Sequence, residues 1–112
     1  MKDVVLRCRS LWRRLILKRY PRCVRCGEKA TDAMHVYSKG AFPHMDVHPH
    51  NGLGGCRGCH SYFDHGTGRE ELLRIAAKKI PNFKFVTAAA YNGDKLYRDY
   101  GQIEKELTEL LK

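Results

Sequence analysis

The chain has 112 residues, 43% hydrophobic and 29% charged, which suits one soluble domain with a modest core and excludes a disordered chain. No apolar run approaches the roughly 20 residues of a membrane span. Lys and Arg number 21 against 12 Asp and Glu, a formal charge of +9, which favours polyanions, chiefly nucleic acid, through steering and counterion release.

Residues 3 to about 19 read as a helix. Val4, Val5, Cys8, Leu11, Trp12, Leu15 and Ile16 recur at three- and four-residue spacing and make one apolar stripe. Asp3 is the expected N-cap, and Pro21 stops the helix. Ten of the 21 basic residues fall in residues 1–29, with only Asp3 and Glu28 as acids. That clustering strengthens the nucleic-acid reading. The arginines interrupt the apolar run too often for a signal peptide, so the expected location is cytoplasmic.

Cys23-Val24-Arg25-Cys26 makes a tight knuckle, and residues 30–36 read as a short strand leading to His35. Residues 37–55 read as a long loop rich in Gly and Pro, of the kind that tends to be functional. Cys56-Arg57-Gly58-Cys59 is a second knuckle, running into a short helix. Thr67-Gly68-Arg69-Glu70 has the spacing of a capping box. It opens a helix through about Ile80, with Leu72, Leu73, Ile75 and Ala76 on its buried side. Residues 82–90 are ambiguous, with Phe83, Phe85 and Tyr91 expected against the core. A last helix is expected from about Tyr100 to Leu111.

Four of the five cysteines form two Cys-x-x-Cys pairs, Cys23 with Cys26 and Cys56 with Cys59. Two residues between thiolates let one turn present both sulfurs to one ion, and two turns complete a tetrahedron suited to zinc. Two pairs, and nothing pointing to an oxidising compartment, favour zinc over disulfides or a redox motif. A closed four-sulfur site is structural. Cys8, left over on the apolar stripe, reads as a small buried hydrophobe.

All six histidines (His35, His44, His48, His50, His60 and His65) lie between positions 35 and 65. Such a cluster beside a metal site reads as functional more readily than a lone histidine does. Asn51-Gly52 is also a strong turn signal in its own right.

The order Cys-x-x-Cys, His35, Asn51, then Cys56-x-x-Cys59-His60 resembles the HNH nuclease family, the ββα-metal or His-Me finger type. It looks most like the compact zinc-bound branch common in phages and prophages. The resemblance covers about residues 23–64. It implies a small α+β fold: a ββα-metal core over 23–64 on the four-cysteine zinc site. A basic helix (1–20) and C-terminal helices (67–112) flank that core in one domain. It also implies a DNA endonuclease. His35 would be the general base, Asn51 would fix the loop and so the orientation of His35 or would reach the metal, and His60 would ligate a catalytic Mg²⁺ or Mn²⁺. An oriented nucleophile, a base titrating near neutrality and a cation on the developing charge are what phosphodiester hydrolysis needs.

One position departs from the family pattern. Many members carry Asp or His just before the base, as a second metal ligand; here that residue is Met34, a poor ligand for a hard cation. Asp32 points to the same side of a strand as Met34 and is the first candidate, with His44, Asp46, His48 and His50 as alternatives. Arg13, Arg14 and Lys18 on the first helix, and Arg57 in the second knuckle, would contact DNA phosphates. Lys39, Arg69, Lys78 and Lys79 would extend that track. Phosphate contacts position a protein but read no sequence, so low specificity is expected. A monomer would nick, while a homodimer or two events would break both strands. The alternative is a catalytically silent zinc-ribbon module that binds nucleic acid.

Overall fold

The structure, a computed structural model, describes residues 2–95 and 98–112. It is a small α+β arrangement. In chain order it contains α1 (Lys2–Arg19), β1 (Asp32–His35), one 3-10 turn (Pro43–Met45), β2 (Gly52–Gly55), α2 (Arg57–Phe63), α3 (Thr67–Lys79), α4 (Phe83–Asn92) and α5 (Tyr100–Leu111). None of the described helices is long and apolar enough to cross a membrane.

The two strands pair antiparallel, Asp32 opposite Gly55 and His35 opposite Gly52. Strand residues alternate between faces, and here the alternation divides the molecule. Ala33, His35, Gly52 and Gly54 lie on the face covered by α1. Asp32, Met34, Leu53 and Gly55 lie on the face toward α2 and α3. The glycines of β2 set how closely α1 approaches. A Cβ at Gly52 would lie 2.7 Å from side-chain atoms of Trp12 and Ile16, and one at Gly54 would overlap the Tyr20 carbonyl. The helix therefore rests directly on strand backbone.

Two apolar clusters follow from the two faces. One gathers Met34, Leu53, Phe63, Leu72, Ala76, Val86 and Ala90. The other gathers Cys8, Trp12, Leu15, Ile16, Val47 and Leu107 between α1, the sheet and α5. Leu15, Ile16 and Leu107 are fully buried, and burying a side chain of that size contributes roughly 1.5–3 kcal/mol. Cys8 is fully buried, as the stripe implied, and its thiol donates to the Tyr100 carbonyl at 3.3 Å. The Asp99 carboxylate caps α5 by accepting from the Gln102 N–H at 3.0 Å.

Four local expectations change. Asp3 lies inside the first turn of α1 rather than at the cap, where its charge still meets the positive end of the helix. The capping box does not form: Thr67 is already helical, preceded by Gly66 at φ 51° with no side-chain cap. The start of α3 is set instead by its approach to α2, since a Cβ at Gly68 would overlap the Tyr62 carbonyl. The segment 37–55 is not loop throughout, because Gly52–Gly55 pairs as β2. Phe83 packs on the core, but Phe85 and Tyr91 are 64% and 68% exposed. α4 turns Val86 and Ala90 inward; Phe85 falls off that face, while Tyr91 keeps edge-on ring contacts with Tyr37 and Phe42, at 5.9 and 5.2 Å between centroids.

Candidate metal centre and the residues around it

Each knuckle is built locally. In the first, Gly27 takes φ 81°, a conformation glycine adopts without strain. Its N–H donates to the Cys23 carbonyl at 2.9 Å, while the Cys23 N–H donates to the Glu28 carbonyl at 2.6 Å. In the second, Cys56 is the N-cap of α2, and its sulfur accepts from the Cys59 N–H at 3.4 Å. Strand β2 joins the two: the Val24 N–H donates to the Gly54 carbonyl and the Thr31 N–H to the Gly55 carbonyl, at 3.1 and 3.0 Å.

The sulfurs of Cys23, Cys26, Cys56 and Cys59 all lie within 4.8 Å of one another. Those of Cys26 and Cys56 are 3.6 Å apart. Zinc–sulfur bonds of about 2.3 Å in a tetrahedron place sulfurs roughly 3.8 Å apart, so the donor set fits a zinc ion. The four sulfurs influence one another electrostatically. Burial, opposed by Arg25 and reinforced by the other three sulfurs, pushes the Cys59 thiol up to about 12, while backbone N–H groups outweigh burial at Cys23 and bring it down to about 6. Four thiolates within 4.8 Å of one another repel unless a central cation neutralises them. Arg25 adds a positive charge beside them, 3.8 Å from the Cys59 sulfur. Its guanidinium also pairs with Glu71 at 2.9 Å and lies 4.0 Å over the Tyr62 ring, tying the knuckle to α2 and α3. Among the described residues, the four cysteines are the one group of three or more side chains gathered closely enough to hold a metal.

Beside this cluster, β1 and α2 bring Asp32 to His60. The His60 Nδ1–H donates to Asp32 Oδ2 at 2.9 Å. That bond selects the tautomer and turns Nε2 outward, where it lies 4.0 Å from Asp64 Oδ2. The His60 bond, with help from Thr31 and Arg57 and against partial burial, holds the Asp32 carboxyl below its usual range. Arg57 donates to Asp32 at 3.0 Å while its side chain stays 88% exposed. Asp64, four residues after His60 on the next helical turn, is a neighbour of that ring that the reading of the sequence did not single out, although its spacing alone could have found it.

His35 lies elsewhere. It is on the opposite face of β1, stacked on Trp12 with ring centroids 4.2 Å apart. Its Nε2–H donates to the Asp46 carbonyl at 2.7 Å, and the Asp46 carboxylate is 3.5 Å away. Asn51 is fully buried and braces the same loop. Its oxygen accepts from the Tyr37 N–H at 2.8 Å, and its amide donates to the Tyr37 and Met45 carbonyls at 2.9 and 3.0 Å. Asn51 thus holds the segment that carries the partner of His35. Asp32 and His60 come together; His35 and His60 do not share a face. Met34 points inward and is 1% exposed.

Arg13, Arg14, Lys18 and Arg57 are all exposed. Arg13 donates to the Thr31 carbonyl at 2.9 Å and Lys18 to the Leu111 carbonyl at 3.0 Å, so both are oriented by the fold. Of the other histidines, His44 donates from Nε2 to the Ala89 and Ala90 carbonyls at the end of α4, at 2.9 and 3.0 Å. His48 and His50 adjoin each other, with centroids 6.0 Å apart.

Comparison of the chain with protein-family models, with curated proteins and with solved structures gives no match.

Proposed function

We propose that the chain is a divalent-metal-dependent DNA endonuclease of the HNH type. In this reading its cation site lies at His60 beside a structural zinc. The observation that carries the proposal is the His60 imidazole fixed by Asp32 at 2.9 Å, with its second nitrogen facing Asp64. The outer nitrogen of His60 and the Asp64 carboxylate suit a partly exposed cation that keeps several waters, with imidazole favouring Mn²⁺ over Mg²⁺. The order β1, β2, α2 with paired cysteines is consistent with the ββα-metal arrangement. A divalent cation there would stabilise charge developing on a phosphate. Asp32 orients the ring, as outer-shell carboxylates do for metal-bound histidines. Asp64 supplies a further oxygen, and exposed Arg57 engages a neighbouring phosphate oxygen.

The test is conversion of supercoiled plasmid by zinc-loaded protein with Mg²⁺, Mn²⁺ or EDTA. Open circles that need the divalent ion, and that disappear in His60→Ala and Asp64→Asn, are the expected result. Asp32→Asn should slow cutting less than His60→Ala does. His35→Ala reads the position of the base: a folded variant that still cuts removes His35 from the chemistry. Direct appearance of linear DNA would indicate a dimer.

A second reading, a zinc-ribbon module that binds nucleic acid without cutting it, is favoured by one observation: His35 faces α1 rather than His60. Salt-dependent DNA binding with no cleavage under any ion would select it.

A further inference from the structure

On the face of the sheet away from His60, α1, the loop after β1 and the residues leading into α5 frame an open pocket of about 120 Å³. Arg9, Lys39, Pro43, Asp46, Arg98 and Tyr100 line it. Three of these side chains are cations and one is a carboxylate, so the wall carries a surplus of two positive charges. The volume admits a small oxyanion and is well below the several hundred Å³ of a pocket for a larger ligand.

The two guanidinium groups are positioned rather than loose. The Arg9 Nε–H donates to Asp46 Oδ2 at 2.8 Å. That carboxylate is 6% exposed. Although burial raises its pKa, the bonds from His35 and Arg9 outweigh this and hold it ionised. Asp46 itself sits on the loop that Asn51 braces through Met45. Arg9 is therefore held by one edge of its guanidinium, leaving the terminal nitrogens for another acceptor. Arg98 donates from Nη1 to the Lys95 carbonyl at 3.0 Å, which orients a second guanidinium. Lys39, exposed, adds a third positive charge to the lining. Two oriented guanidinium groups and an ammonium around a small space match the geometry and charge of a phosphate group.

We propose that this pocket binds a phosphate group, separately from the His60 site. The phosphate can come from a nucleic-acid backbone or from a free phosphate ion, and the chemistry of recognition is the same. The pocket is read by binding rather than by cleavage. Its success or failure is therefore distinct from that of the nuclease reading, which the plasmid assay on the same preparation reports.

The test uses the zinc-loaded chain and the double variant Lys39→Gln/Arg98→Gln, which leaves the Arg9–Asp46 pair intact. Lys84→Gln/Lys105→Gln serves as the control of equal charge. Inorganic phosphate titrated into ¹⁵N-labelled protein should shift the amides of Asp46, Lys39 and Tyr100. The double variant should weaken that binding at least tenfold, and the control should not. In parallel, affinity for a short duplex is measured against salt. If the pocket takes a backbone phosphate, the double variant lowers the slope of log K against log salt by about 0.9 for each phosphate it no longer neutralises, beyond any change in the control. Loss of phosphate binding with an unchanged slope supports the site with a free phosphate as occupant. No amide shift with phosphate, together with a slope no different from the control, overturns the proposal.

Discussion

Truncating Asn51 to Ala tests how the long loop is held. The side chain is fully buried and makes three hydrogen bonds, at 2.8, 2.9 and 3.0 Å, to the Tyr37 N–H and to the Tyr37 and Met45 carbonyls. Alanine leaves three backbone groups without these partners, each costing about 1–3 kcal/mol if no water replaces it. Partial relaxation puts the sum near 4 kcal/mol, a large share of the roughly 5–15 kcal/mol by which a domain is stable. At about 4 °C per kcal/mol for a chain of this length, Tm falls by about 15 °C. The assay is thermal and denaturant unfolding with zinc in excess, so that metal loss does not confound the comparison. Asn51→Asp refines it. That variant still accepts from the Tyr37 N–H but turns a carboxylate oxygen on two carbonyls, so it should be at least as destabilised despite its equal size. An alanine variant within about 1 kcal/mol of the parent, with loop amides still protected from exchange, would refute the idea that Asn51 organises this loop.

Three further outcomes are expected. Removing zinc with a strong chelator should unfold the knuckles and β2 together, since apparent zinc-binding energies of about 10–16 kcal/mol exceed the stability of a small domain; metal analysis should find one zinc per chain, and an unchanged melting curve after complete removal would contradict a structural role. Gly52→Ala should destabilise by about 1–3 kcal/mol through overpacking on Trp12 and Ile16, read by urea unfolding; a neutral effect would mean α1 sits further from the sheet. His48 should make stability depend on pH. Burial, then His50 and His44, lower its pKa from 6.5 to about 4, so the unfolded chain takes up the proton first and stability falls as pH drops from 6.5 toward 4. At roughly 1.4 kcal/mol per pH unit the full loss is on the order of 3 kcal/mol. His50, lowered by burial and Arg19, acts in the same direction. The Asp32 and Asp46 carboxyls are lowered, so their contribution is lost only at more acid pH. His48→Gln should flatten the profile between pH 5 and 6.5, and an unflattened profile would assign the dependence elsewhere.

Much of this protein is decided by short-range order in the chain. Helical periodicity placed the buried side of α1, including Cys8, and the extent of α5, because a stripe at three- and four-residue spacing needs no knowledge of its partner. The two Cys-x-x-Cys turns are local devices, so a four-sulfur cluster was legible before any fold. Alternation along a strand was enough to put Asp32 and Met34 on one side. Other features depend on what is packed across from them. Gly52–Gly55 carries no side-chain pattern of a strand; it pairs with β1 because α1 needs bare backbone to rest on. The helix α3 begins where α2 lets it approach, which overrides a capping box that the residues alone would allow. The outward placement of Phe85 follows from which side of α4 meets the core. Above all, only the tertiary structure decides that Asp32 meets His60 while His35 turns to Trp12. The two histidines lie 25 positions apart in sequence, and which face of a two-stranded sheet each one sees is set by the helices that cover it.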